Sequence, residues 1–105
     1  MGSDNGGKSD TRRMIDAAFG ELLGMMLFVY TGCAAAINSN GDILKIAMTF
    51  GMAIFVLACM IGHHSGGQMN TAVTLGLMIT GDVGIVQGLI NMVMQRECFP
   101  LRLCL

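Results

Sequence analysis

Two long stretches of this sequence, residues 22–41 and 46–81, carry no charged side chain. A helix that crosses the ~30 Å hydrocarbon core of a bilayer needs about 20 predominantly apolar residues, so each stretch is long enough for a span. The composition agrees, because 12% of the 105 residues are charged, against roughly 25% in a soluble domain. We therefore predict an all-α transmembrane domain.

The second stretch is longer than one span and is interrupted by turn-forming residues. Residues 17–37 and 43–61 are predicted to be two full spans, joined by the turn sequence NSNGD. Residues 70–80 predict a separate helix of ~15 Å, half the thickness of the hydrocarbon core. Residues 83–95 begin a third span, but they supply only ~20 Å of helix before charged residues follow, so we expect this span to be incomplete.

The two ends of the chain differ from its apolar centre. Residues 1–16 have few apolar side chains to bury and are predicted to be a disordered tail. Lys8, Arg12 and Arg13 favour a cytoplasmic location for this tail, because cytoplasmic flanks of spans carry an excess of basic residues. Residues 96–105 contain charges and a proline and are predicted to be a C-terminal tail.

Small residues predict where the spans pack against each other. Gly20 and Gly24 form a GxxxG pair in the first span, and Gly51 lies on a face of small residues in the second, so two backbones can approach closely. Glu21 stands beside the first of these faces. An ionisable group within a span is costly and usually faces the protein interior with a partner; the alternative is an interfacial side chain that reaches back to water.

The segment between the second span and the short helix, GHHSGGQMN, is rich in glycine. Irregular backbone at membrane depth is tolerated only where it is buried in protein or lines a water-filled cavity, so a cavity is predicted here. Asn70 suits the N-cap of the short helix, where its side-chain oxygen accepts from a backbone N–H. The side-chain nitrogen then remains a donor at the positive end of the helix.

Other kinds of site fit the sequence less well. Cys59 and His63 are one helical turn apart and could bind a metal together with His64, but no carboxylate or second cysteine pair lies at ligand spacing. No lysine or arginine follows the glycines to hold a phosphate. The four cysteines are interpreted as small apolar residues rather than disulfides. The net charge of −1 does not suggest a nucleic acid partner, and no metal or other cofactor is predicted.

The glycine-rich segment and the helix after it, GHHSGGQMNTAVTLGL, resemble the first pore loop of the aquaporin, or major intrinsic protein, family, whose usual form is GHxSGxHxNPAVTxG. GELLGMMLFVYTGCAAA resembles the family's first helix, AMTFGMAIFVLACMIG its second, and INMVMQ part of its third. The resemblance covers residues 17–95 and the N-terminal half of the family's fold. It implies an aquaporin-like half-repeat: two full spans, a re-entrant loop with a half-helix, and an incomplete third span.

The resemblance also implies roles for individual residues in a pore for water or a small neutral solute. In that family two half-helices meet at the membrane centre, and an asparagine of each donates to the passing solute. Asn70 would be this donor, Phe50 one wall of the selectivity filter, and Glu21 a brace for the loop. From spacing alone, Phe50 could instead face lipid. The cytoplasmic half of the pore, or its support, would include His63, Gly66, Gly67 and Gln68.

Three departures from the family pattern affect this expectation. Asn70, Thr71 and Ala72 replace the usual asparagine-proline-alanine motif, and since threonine can adopt the φ of proline, we expect a slightly looser helix start. Gln68 replaces a histidine and is polar but not titratable. The sequence after Gln95 does not resemble the family, so we expect a divergent tail there, without the second repeat and its asparagine.

The leading interpretation is a channel-family membrane protein for water or small neutral solutes, truncated after Gln95 and unable to conduct selectively as a single copy. Transport sites form where two inverted repeats meet, so one repeat supplies half of the wall. Two antiparallel copies could rebuild the pair as a homo-oligomer. The alternative is a non-conducting subunit that associates with full-length aquaporins through its glycine faces. A metal or redox protein is a third, weaker interpretation.

Overall fold

The computed structural model describes residues 9–97, which form four α-helices and, within this range, no β-strand. They are α1 (Asp10–Asn38), α2 (Ile43–Ser65), α3 (Thr71–Thr80) and α4 (Ile85–Glu97). By length and composition α1 and α2 could each cross a membrane, whereas α3 is a short apolar helix of 10 residues. The predicted all-α fold is confirmed.

A tight turn joins α1 to α2, as the sequence NSNGD predicts. Asn40 and Gly41 adopt positive φ angles of 53° and 84°. Asp42 caps α2, because its side chain accepts from the backbone N–H of Lys45 at 3.1 Å. The two long helices therefore form a hairpin and pack against each other along it.

The first helix begins earlier than the sequence predicted. Its first residue is Asp10, so the predicted disorder of residues 1–16 is wrong for residues 10–16, and residues 1–8 lie outside the described part of the chain. Extending an existing helix costs far less than starting one, so the span propagates into the polar segment. Asp10 in the first turn is also favoured by the positive end of the helix dipole.

Two other boundaries differ from the prediction. α2 continues beyond its predicted end to Ser65, where Gly66 closes it in a left-handed conformation with φ of 86°. Arg96 and Glu97, predicted to belong to the C-terminal tail, are instead the last residues of α4. The rest of that tail, residues 98–105, lies outside the described residues.

The chain turns back after α2 and places α3 and α4 beside the long helices. α4 packs on both α1 and α3. Gln87, early in α4, donates to the carbonyl oxygen of Met14, and Gln95, near its end, donates to Glu21, so α4 runs parallel to α1. With 13 residues, or about 20 Å of helix, the described part of α4 ends alongside the middle of α1.

Glycines of α1 bring α2 and the loop after it close. A Cβ on Gly24 would lie 2.5 Å from Cδ1 of Ile61 and 3.0 Å from Sδ of Met69. A side chain at this position would therefore have to displace one of them. Gly20 is less crowded, since a Cβ there would lie 3.8 Å from Ser65. Both glycines lie at the helix contact that the GxxxG pair predicts.

Gly51 does not have the packing role predicted for it. A Cβ there would meet no atom within 4 Å, so Gly51 is not part of the contact with α1. α2 meets α1 through larger side chains such as Ile61. The small residues Ala58 and Gly62 face the following loop instead: a Cβ on Gly67 would lie 3.2 Å and 3.3 Å from their Cα atoms. The close backbone approach on α2 is therefore to its own loop.

Gly24 and Gly51 form a matched pair for testing which glycines the fold requires. We expect Gly24→Ala to have a lower thermal unfolding midpoint than Gly51→Ala in the detergent-solubilised protein, because Ile61 and Met69 have to move to admit the methyl group, at a cost near the lower end of the about 1–3 kcal/mol that is typical of overpacking. Gly51→Ala should leave the midpoint unchanged or raise it slightly, because alanine is the better helix former. The loss of helical circular dichroism on heating measures both, and equal midpoints would contradict the close contact at Gly24.

Candidate functional site

A buried carboxylate joins four parts of the fold. Glu21 in α1 is 0% exposed, so the alternative interpretation, a side chain that reaches back to water, is wrong. Its Oε1 accepts from the Ser65 hydroxyl and from the backbone N–H of Gln68, both at 2.8 Å. Its Oε2 accepts from the backbone N–H of Met69 at 2.6 Å and from the side-chain amide of Gln95 at 2.7 Å. Glu21 thus connects α1, the end of α2, the loop and α4.

The side chain of Gln68 lies in the same buried network. Its Oε1 accepts from the Thr74 hydroxyl at 2.8 Å and from the Asn91 amide at 3.3 Å, and its Nε2 donates to the carbonyl oxygen of Ser65 at 3.3 Å. Thr74 is fully buried and also accepts from Gln95 at 3.0 Å. Gln68 therefore ties the start of α3 to α2 and α4, and both ends of its amide are engaged.

Three amides on one face of α4 complete the network, and the sequence analysis missed them. Gln87, Asn91 and Gln95 follow one another at intervals of one helical turn, which places them on the same face. Asn91 is fully buried; it accepts from Gln87 at 2.7 Å and donates to Gln68. This polar stripe in an otherwise apolar helix was the signal that could have identified them. Among the described residues, no buried side-chain nitrogen or oxygen lacks a hydrogen bond partner.

Met69 has a backbone conformation that few residues other than glycine adopt. Its φ is 43°, in the left-handed region where a side chain crowds the carbonyl oxygen that follows. The side chain is 1% exposed and lies against Gly24, and the backbone N–H donates to Glu21. Burial and this hydrogen bond offset the strain, and together they direct the chain into α3.

The half-helix begins with the geometry that the sequence predicts. Asn70 is the N-cap of α3, and its Oδ1 accepts from the backbone N–H of Ala72 at 2.8 Å. Thr71 is the first helical residue, so a threonine in place of the family's proline leaves the helix start intact. Asn70 is exposed, and its side-chain nitrogen makes no hydrogen bond to another residue in the range 9–97. The start of α3 therefore presents a free donor.

Asn70 lies at an open groove of about 480 Å³. The walls of the groove are mostly apolar and contain no charged side chain. They are formed by Phe28, Phe50, Gly51, Ile54, Gly67, Gln68, Met69, Asn70 and Val73. A single free amide donor among apolar walls suits a small neutral polar solute better than an ion.

Phe50 forms one wall of this groove. Its ring contacts the ring of Phe28 edge to face, with the centroids 5.4 Å apart and the planes at 68°. The ring also lies directly on Gly32, where a Cβ would overlap its carbon atoms. Phe50 lines the groove together with Asn70. Phe28 and Gly32, which the sequence analysis did not identify, hold its ring there.

Two residues predicted for the cytoplasmic half of the pore, or its support, do not line the groove. His63 is exposed near the end of α2, with its ring centroid 4.0 Å from that of His64, and it does not line the groove. Gly66 is exposed as well and serves to end the helix. Neither residue is among those that line the groove. The predicted pore residues that do line the groove are Phe50, Gly67, Gln68 and Asn70.

The described residues offer no cluster of metal ligands. Within residues 9–97, no group of three or more His, Cys, Asp or Glu side chains could hold a metal ion. Cys59, the candidate ligand one turn before His63, is exposed on α2.

The chain is similar to known membrane channels over most of its length. Residues 8–97 match the family model described as "Major intrinsic protein". Aquaporin-5 of Sus scrofa is 36% identical over 84 residues, which are 77% of this chain and 32% of the relative. Aquaporin-1 of Rattus norvegicus is 33% identical over 89 residues, 75% of this chain and 33% of the relative. The chain thus spans about a third of the length of these relatives.

Removing the carboxylate tests whether Glu21 holds the loop. We expect Glu21→Leu to accelerate amide hydrogen exchange at Gln68 and Met69 by about tenfold or more, because their N–H groups lose a charged acceptor. Glu97→Gln, which alters an exposed carboxylate at the end of α4, is the control and should leave these rates unchanged. Exchange at the two loop amides that is equally slow in all three proteins would rule out the bracing role.

Proposed function

The chain is an integral membrane protein and belongs to the major intrinsic protein family, and on that premise we propose that residues 9–97 form one wall of a pore for water or another small neutral solute. The groove at Asn70 is the observation that carries this proposal. Its residues come from α1, α2, the loop and α3, so the wall follows from the fold rather than from one segment.

Asn70 supplies the polar contact of the proposed wall. Its side-chain oxygen is occupied by the cap of α3, which fixes the orientation of the amide and leaves the nitrogen to donate to a solute. The first turn of α3 adds the positive end of the helix dipole, which disfavours cations. Aquaporin-type channels select by pore diameter, by lining groups and by such half-helix dipoles. Water and small neutral solutes therefore fit this wall.

Phe50 supplies the apolar contact of the wall. Its ring faces the same groove as Asn70 and is held by Phe28 and Gly32. An aromatic ring reduces the width of a pore without offering a hydrogen bond acceptor. Together these residues provide one donor and one steric limit, and the rest of a selective filter has to come from outside residues 9–97.

The groove is open on one side, and the described residues contain one half-helix. A selective pore in repeat-built transporters forms where two inverted repeats meet. We propose that the wall works only when a second repeat closes it, in a longer chain, in an antiparallel second copy or in a related protein. Arg12 and Arg13, at the start of α1, support a cytoplasmic N-terminus.

A second candidate function is a non-conducting subunit that associates with complete family members. The observation in its favour is the set of glycines with open space beside them. Gly51 in α2 and Gly76 in α3 have no atom within 4 Å of an added Cβ. Small residues on exposed helix faces allow another helix to approach closely in a membrane. Co-purification with a complete aquaporin in mild detergent would support this function, and separation of the two proteins would count against it.

Water contact tests the proposed pore wall. In nanodiscs, we expect magnetisation transfer from water to the side-chain amide of Asn70 and to the backbone N–H of Thr71. The backbone N–H of Phe55, whose side chain is exposed on α2, serves as the control and should show transfer from lipid instead. Irregular backbone at membrane depth has to be buried in protein or line a water-filled cavity, and Asn70 is exposed. Lipid contact at Asn70 would overturn the proposal.

Osmotic swelling tests whether the wall is sufficient. Vesicles that contain the 105-residue polypeptide alone should swell no faster than pure lipid vesicles, because one repeat supplies half of the pore wall. Faster swelling that Asn70→Trp abolishes would show instead that copies of this chain complete the pore among themselves. Faster swelling that Asn70→Trp leaves unchanged would place the pathway away from the groove.

A further inference from the structure

We propose that Gly32 sets how far the ring of Phe50 projects into the groove, and thereby limits the size of the solute that the groove admits. This inference rests on the proposed pore wall. It goes further by assigning a specificity-determining role to a residue that does not itself line the groove. Gly32 acts through Phe50 and is therefore a positioning residue.

Because Gly32 has no side chain, the ring of Phe50 can pack directly on its backbone. Carbon atoms in contact are normally about 3.5–4.0 Å apart. A Cβ on Gly32 would lie well inside that separation from Cδ1, Cε1 and Cζ of Phe50. The ring therefore occupies the volume in which any other residue would have its side chain. Gly32 itself is buried, so the ring covers it.

The contacts of the Phe50 ring limit the direction in which a larger residue at position 32 would move it. Phe28 contacts the ring edge to face, an arrangement that aromatic pairs favour. The ring also contacts Gly32, and the backbone of Phe50 is part of α2. The groove, which Phe50 already lines, provides open space beside the ring. A side chain at position 32 would push the ring into this space and narrow the groove.

The ring of Phe50 would narrow the groove in the part that Asn70 and Val73 also line. Val73, one turn into α3 and 48% exposed, lines the same groove as Phe50 and Asn70. A ring that projects further into this groove of about 480 Å³ leaves less room beside Val73, which hinders a bulky molecule more than a small one. The position of the ring is thus expected to change access by size rather than to change all access equally.

Cysteine labelling at Val73 measures this access directly. The parent protein carries Val73→Cys, with the four native cysteines replaced by alanine, and is reconstituted in vesicles. Two aqueous methanethiosulfonate reagents, one small and one bulky, are compared. We expect Gly32→Ala to slow labelling by the bulky reagent on the order of fivefold, as the ring is forced out of its packed position, with a much smaller effect on the small reagent.

Two further variants make the test specific. Gly76→Ala is the control, since a Cβ there meets no atom within 4 Å, and it should leave both rates unchanged. Phe50→Leu should by itself accelerate labelling by the bulky reagent. When combined with Phe50→Leu, Gly32→Ala should lose its effect, because the ring through which it acts is absent.

The possible outcomes separate this inference from the proposed function. Labelling of the parent that is unaffected by Gly32→Ala would overturn the inference and leave the pore wall standing. The inference would also be overturned if Gly32→Ala still slowed labelling in the Phe50→Leu background, or if it accelerated labelling by both reagents. Either result would mean that the alanine separates α1 from α2. A parent that neither reagent labels would overturn the pore wall itself.

Discussion

The hydrogen bonds of Glu21 are the interaction on which the rest of the fold depends. A chain that turns back between two apolar helices leaves backbone N–H groups outside any helix, and each such group costs several kcal/mol when it is buried without a partner. Two such groups, at Gln68 and Met69, donate to the two oxygens of Glu21. Because the same carboxylate also accepts from the end of α2 and from α4, the loop is tied through Glu21 to α1, α2 and α4.

The loop also lines the groove through Gly67, Gln68 and Met69. The polar side chains around the loop form hydrogen bonds with one another through Gln68, Thr74 and the amides of α4, so they have little left to offer to a solute. Asn70 differs, because its oxygen caps α3 while its nitrogen is left free. The groove therefore combines buried polar side chains that are already hydrogen bonded with one exposed donor, the side-chain nitrogen of Asn70. This difference follows from the sequence order, since Gln68 lies within the loop and Asn70 at the start of α3.

Several parts of this arrangement could be predicted from the sequence because they depend on local physics. An acidic residue in an apolar run, such as Glu21, requires an interior partner, and Asn70 before a short apolar run is an N-cap signal. The amides of α4 were missed, because a glutamine or asparagine in a membrane helix is less conspicuous than a charge. Gly51 was assigned to the wrong contact, because spacing shows which residues share a face but not what that face meets.

The sequence by itself determined the helices, the turns and the polar residues that had to find partners, since charge, hydrophobic length and capping act over a few neighbouring residues. Only the tertiary structure decided which partners they found. Glu21 meets Gln95, and Phe50 rests on Gly32, although these pairs lie far apart in the chain. Their meeting depends on the parallel course of α4 beside α1 and on the hairpin of α1 and α2. Such contacts follow from the packing of whole helices, which no local pattern of residues contains.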